Sequence, residues 1–246
     1  MAVREQGRAL RRVTGRFTVY LSRIRLRPDA AEKREFWQMM GSEYQAHHMV
    51  WDLFTDGPDR ERDFLYRVED IGGLPTIYAV GRREPVNRGG MWTIETKSYD
   101  PILSRGQRLA FVLRANPVRT KCDEKGKHHR HDVVMEAKTL LKQQGRPREE
   151  WPPEPEIVGQ AGFAWLATRG EANGFTVAEG NVRADGYTQR RFRKRKGRHD
   201  ISLSTIDYTG ILTVADPEKF KATLYTGIGP AKGFGCGMMM VRRAGR

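Results

Sequence analysis

The residues 17–26 read "FTVYLSRIRL", apolar and polar by turns, which is the two-residue period of a strand with one buried face. After Pro28 and Asp29 the period lengthens. Phe36, Met39, Met40, His47, Val50 and Phe54 fall on one apolar arc at about 100° per residue, with Tyr44 and Trp51 at its edge, so the pattern predicts a helix over about 30–54. "DFLYRVED" and "LPTIYAVGR" read as the next two strands and "MWTIETKSY" as a further one. "QRLAFVLRANPVRTKC", residues 107–122, reads as one strong strand. A helix is expected over 156–168, then a long hairpin over 174–214 with its turn near Gly197, then a helix over 217–225. Met238 to Val241 end the pattern as a short apolar strand.

The first half runs strand, helix, strand, strand, and the second half ends strand, helix, strand. That order fits an α+β chain of two tandem ferredoxin-like domains, the architecture of RNA-recognition modules. The domains are expected at 17–104 and 105–246. Residues 1–16 hold five arginines against one glutamate and are expected to form a disordered basic extension.

Charge then narrows the partner. With 44 Lys+Arg against 30 Asp+Glu the chain carries +14, a field that favours nucleic acid or an anionic membrane. No apolar run approaches the ~20 residues of a spanning helix, and the N-terminal stretch has no secretory hydrophobic core. Cys122 and Cys236 are the only cysteines and lie far apart, which fits a reducing cytoplasm. The expected partner is nucleic acid, with no membrane and a cytoplasmic location.

Two segments concentrate the charge. In "RRFRKRKGRH" the basic residues Arg190, Arg191, Arg193, Lys194, Arg195, Lys196 and Arg198 crowd a hairpin tip. A basic ribbon of this kind can follow a phosphate backbone, whereas the alternative is a solvated tip whose charges repel one another. "RANPVRTKCDEKGKHHRHD" carries Arg114, Arg119 and Lys121, also expected to contact RNA, beside Cys122, His128, His129 and His131. One Cys and three His suggest zinc, but the spacing matches no finger or ribbon and no second Cys is near, so no metal is expected.

Near the C-terminus, "TGIGPAKGFGCGMMMVRRAGR" raises the question of what comes close to so glycine-rich a backbone. A Walker loop would end Gly-Lys-Ser/Thr and open a helix, but here Lys232 precedes Gly233 and a strand follows. Gly227, Gly229 and Gly233 also miss the dinucleotide spacing by one residue. Two readings stay open: a tight structural turn, or a basic loop whose Gly229, Lys232 and Gly233 hold a polyanion backbone.

The first helix offers chemistry. Tyr44 and His47 are three residues apart and neighbours on its surface, while His48 is rotated away. An imidazole beside a phenol can serve metal-free RNA cleavage as base, acid or phosphorane donor. The same pair can equally be two semi-buried polar residues satisfied in the core.

The elements "VYLSRIRL", "YQAHHMVWDLF", "RDFLYRVE", "FVLRANPVRTK" and "GIGPAKGFGCGMM", in that order across residues 17–243, resemble the CasE family, the repeat-cleaving endoribonucleases of type I-E CRISPR systems. The resemblance implies two ferredoxin-like domains and metal-independent cleavage of precursor CRISPR RNA at the base of the repeat hairpin, without a cofactor. It also implies that the protein stays on the mature crRNA beside other Cascade subunits. The family's catalytic histidine stands four residues before the helix tryptophan, and its tyrosine three residues before that, which implies His47 and Tyr44 here. The second histidine, His48, the N-terminal extension and the very basic late hairpin depart from the family pattern. The rival readings are a non-catalytic structured-RNA-binding protein and a metal-dependent nuclease, although no cluster of Asp and Glu is spaced for two metals.

Overall fold

The alternation at the start of the chain gives β1, Tyr20–Leu26, which buries Ser22, Ile24 and Leu26 and turns Arg23 and Arg25 to the opposite face. The computed structural model describes residues 18–33, 36–37, 43–54, 62–193 and 200–245, without the side chains of 43–46, 191–193 and 200–202. The basic extension 1–16 and the hairpin tip with Lys194, Arg195, Lys196 and Arg198 lie outside the described residues, as does the Tyr44 side chain.

Among the described residues the expected helix over 30–54 is interrupted: α1 (Pro28–Ala31) ends in a turn at Glu32, Phe36 and Trp37 are again helical, and α2 is Glu43–Asp52. β2 (Phe64–Ile71) and β3 (Leu74–Gly81) are joined through Gly72 and Gly73, whose φ of 65° and 79° suit a tight hairpin turn. With β4 (Trp92–Ser98) they make an antiparallel sheet in the order β2-β3-β1-β4. α2 covers one face, where Met49, Val50 and Leu53 pack with Phe36 against Ile24, Phe64, Ile77 and Trp92. Each fully buried side chain of this size contributes about 1.5–3 kcal/mol.

The second sheet is built from β5 (Arg108–Ala115), β8 (Phe175–Arg193), β9 (Asp200–Val214) and β10 (Met239–Arg243), in the order β10-β5-β9-β8, again antiparallel. Counted within its own half of the chain, each sheet has the order 4-1-3-2. The fold is α+β with two ferredoxin-like units. In the first, residues 82–91 form an irregular connection where the second unit has a helix.

The strand expected over 107–122 breaks at Asn116-Pro117, since proline donates no ladder hydrogen bond. Beyond it β6 (Val118–Cys122) pairs with β7 (His128–Asp132) in a separate two-stranded ribbon. α3 (Val133–Gln143) follows, capped by Asp132, whose carboxylate accepts from the Val134 and Met135 amides at 2.8 and 3.0 Å. α4 (Glu154–Ala172) and α5 (Pro217–Thr226) then bury Trp165, Leu166, Phe220 and Leu224 against β5 and β9.

The helix-free faces of the two sheets meet. Leu65 and Val80 of the first form a small core with Met238, and Arg67, Arg114 and Asp207 form an ion cluster between them. The β8–β9 ladder continues through 188–193 and 200–205 past Ile206, the last residue that β9 shares with β5. Six more residues per strand extend that ribbon by about 20 Å. Among the described residues no helix is long and apolar enough to cross a membrane.

Candidate active site

α5 is capped by Asp216 and ends at Gly227, where the chain enters the glycine-rich loop. The loop closes on itself: the Ile228 amide donates to Gly237 O at 2.9 Å, and the Gly237 amide donates to Arg114 O of β5 at 2.7 Å. Most of its glycines are answered by the protein. A Cβ on Gly237, at φ 87°, would lie 2.7 Å from Ile228 O. A Cβ on Gly229, at φ 76°, would lie 3.3 Å from the Trp165 ring. Gly229 thus packs on Trp165, which accounts for a glycine at this position without a ligand.

Gly233 is different. It sits in a 3-10 turn, Lys232–Phe234, reached through Ala231 in a left-handed conformation (φ 59°). A Cβ here would lie 3.5 Å from Arg62 Nη1 and 3.6 Å from His47 Cε1, both from the other unit. The Tyr66 hydroxyl donates to Gly233 O at 2.7 Å, and His47 also hydrogen-bonds the Gly233 backbone. The His47 ring stands 5.5 Å from Phe234 and 6.0 Å from Trp51. His47 is half-buried and His48 exposed. Tyr44 precedes His47 by one helical turn on α2, so the two positions share a helix face.

Electrostatics follow from this packing. Burial holds the His47 imidazole below the ordinary histidine value, His48 and Arg62 add to the effect, and the Gly233 hydrogen bond opposes it. His47 Nδ1 is buried without a hydrogen-bond partner among the described residues. Arg62 and Lys232 are likewise lowered by burial, Lys232 further by Arg62. In the free protein the His47 ring protons are therefore expected to titrate with a midpoint below about 6.5 by NMR. A midpoint at or above that value would contradict the burial seen here.

The other expected site residues are scattered. Arg114 is gripped by Asp207 in a bidentate pair (2.9 and 2.7 Å), which raises its pKa and places two of its nitrogens on a carboxylate. Arg119 and Lys121 lie on the β6–β7 ribbon, with Lys121 paired to Glu136. Arg190 is exposed on β8, and Arg191 and Arg193 belong to the same strand. On β7, His129 is bonded to Asp123 Oδ2 at 2.8 Å, and Cys122 stands opposite His128. Among the described residues no three His, Cys, Asp or Glu side chains group as metal ligands. Sequence reasoning missed Arg62, Tyr66 and Phe234. Tyr66 reads as a core position of β2, and Arg62 as an ordinary charge before a strand.

The profile of the family described as CRISPR associated protein matches residues 19–243. The CRISPR system Cascade subunit CasE of Escherichia coli is 29% identical over 198 residues, 80% of this chain and 89% of CasE. The CRISPR-associated endoribonuclease Cse3 of Thermus thermophilus is 27% identical over 239 residues, 91% of this chain and 99% of Cse3. The structure of Thermus thermophilus Cse3 bound to an RNA representing a pre-cleavage complex superposes with a TM-score of 0.66 at 26% identity, covering 92% of this chain and all (100%) of that one. A match over nearly the whole length, on a fold with the same two units, decides the family: this chain belongs to the CRISPR-associated protein family, together with CasE and Cse3.

Proposed function

We propose that this chain is a metal-independent endoribonuclease that binds the CRISPR repeat hairpin and cuts precursor CRISPR RNA at the base of the stem. The observation that carries the reading is the meeting of His47, from one unit, with the Gly233 backbone of the other unit's terminal loop. It stands in a chain similar throughout to a named endoribonuclease. In the reaction proposed, the 2′-oxygen attacks phosphorus, the P–O5′ bond breaks, and a 2′,3′-cyclic phosphate and a 5′-hydroxyl result. His47, kept neutral by burial, takes the 2′-hydroxyl proton, and Tyr44 is placed one turn away to give a proton to the leaving 5′-oxygen. Protein groups need only hold the attack in line and move these two protons.

The stem is gripped through its backbone by Arg190, Arg191, Arg193, Lys194, Arg195, Lys196 and Arg198 on the late ribbon, and by Arg119 and Lys121 on the β6–β7 ribbon. A-form RNA is read mainly by shape and phosphate. The catalytic domain spans 17–104, the second domain spans 105–246, and the protein remains on its mature crRNA as a Cascade subunit. Incubation with a repeat hairpin in EDTA tests the reading, and cleavage to a cyclic phosphate is expected. Binding without cleavage would make the chain an RNA-binding protein only, and cleavage only after added metal would make it a metal-dependent nuclease.

A further inference from the structure

Arg62 lies just before β2, half-buried at the seam between the units. Its Nη1 is enclosed and has no hydrogen-bond partner among the described residues. A guanidinium carries five donors and cannot shed its charge, so an enclosed donor not matched by a described protein acceptor suits an anion. Asp63, the described carboxylate next to it, is committed to Arg83, which donates to it through Nε at 2.9 Å and Nη2 at 2.5 Å. Lys232 and His47 approach from the loop and from α2, which brings three basic groups together around Gly233. A groove between the units, lined by Arg62, Phe64, Arg82, Tyr225 and Lys232, opens from this point. Cations interleaved with aromatic rings are the lining that suits a single strand of phosphodiester backbone.

We propose that Arg62 is a further catalytic residue, whose unpartnered Nη1 donates to a non-bridging oxygen of the scissile phosphate. The assignment rests on the cleavage reading above. As O2′ bonds to phosphorus and the P–O5′ bond breaks, negative charge grows on the non-bridging oxygens. The 2′-proton passes to His47, the 5′-oxygen takes its proton from the acid, and Arg62 keeps its own protons while its hydrogen bond strengthens. A donor fixed before the reaction at the place where charge develops lowers the barrier without reorganisation. Arginine suits the role because its planar fork matches phosphate oxygens.

The test is single-turnover cleavage by the full chain of wild type, Arg62→Ala, Arg62→Lys and Arg62→Gln. Affinity is measured separately on RNA with a 2′-deoxy at the cut, and folding by Tm. Arg62→Ala is expected to lose about 10-fold to 10²-fold in rate, since Lys232 remains as a second cation, and added ethylguanidinium should restore part of the loss. One phosphorothioate diastereomer at the scissile phosphate should slow the wild type selectively, and that selectivity should vanish in Arg62→Ala. Arg62→Lys and Arg62→Gln decide the matter if alanine lowers the Tm, since both keep the stem that packs in the seam. A cutting wild type with Arg62→Ala or Arg62→Gln within about threefold of it overturns the assignment alone. So does a slowed variant that keeps the diastereomer selectivity and gains nothing from guanidinium. A wild type that leaves the hairpin uncut overturns the cleavage reading and this assignment with it.

Discussion

His47→Ala is expected to slow single-turnover cleavage of the repeat hairpin by ~10²-fold to 10⁴-fold, the range for a positioned acid or base. The neighbouring change His48→Ala should cut at nearly the wild-type rate. The contrast follows from α2: successive residues are turned by about 100°, so of two adjacent histidines only one can face the glycine loop. His47 is half-buried against Phe234 and the Gly233 backbone, whereas His48 is exposed. Hairpin affinity, measured on RNA with a 2′-deoxy at the cut, should hardly change in either variant. A mostly neutral imidazole adds little to the attraction exerted by a chain of net charge +14. Tyr44→Phe should cost less than His47→Ala, because the ring and the histidine both remain. If His48→Ala proves the inactive variant, the helix register assigned here is wrong by one residue. If neither loses rate, the chemistry lies elsewhere.

The place of His47 on the packed side of α2 could be read from the sequence because it depends on local geometry, whereas its catalytic role came from the family resemblance. Helical periodicity alone puts it on the apolar arc three residues after Tyr44. The strands β1 to β4 were legible for the same reason, since each shows its burial pattern within seven or eight residues. What escaped the sequence depends on contacts between distant residues or on backbone chemistry that hydropathy ignores. The strand over 107–122 looked continuous because its apolar pattern continues, and only Pro117 ends the ladder. The pairing of Arg114 with Asp207 was hidden, because only the fold brings that carboxylate across the sheet from 93 residues away. Tyr66 and Gly233 are 167 residues apart and meet only when the two units close. The glycine loop shows both cases. Its composition signalled a close approach, but the approaching groups at Gly229, Gly235 and Gly237 are Trp165, Tyr66 and Ile228 of the protein itself. Only Gly233 faces the histidine.

That difference among glycines sets the second large effect. Gly229→Val should damage the fold, whereas Gly233→Val should damage the reaction. At Gly229 the backbone has a φ of 76°, where a β-branched residue is strongly disfavoured, and a Cβ would already lie 3.3 Å from the Trp165 ring. Trp165 is 1% exposed and donates its indole N–H to Val118 O at 3.1 Å, so the ring has little room to yield. Backbone strain and overpacking each cost about 1–3 kcal/mol, enough together to lower the Tm by many degrees. Cleavage and RNA binding should then fall with stability. At Gly233 the backbone is not in the left-handed region and a Cβ meets only ordinary contacts at 3.5 and 3.6 Å, so the Tm should stay close to wild type. The valine methyls reach further, into the space between Arg62 and His47. Displacing a catalytic group by even 1 Å can cost ~10²-fold, and here two groups are displaced at once. Lys232→Ala removes one cation and leaves this geometry in place, so its loss of rate should be the smallest of the three, about 10-fold or less. Melting curves and single-turnover rates on the three variants decide between these accounts. A Gly229→Val protein with wild-type Tm would refute the packing assigned to Trp165, and a Gly233→Val protein that cuts at the wild-type rate would show that the reacting phosphate does not lie between Arg62 and His47.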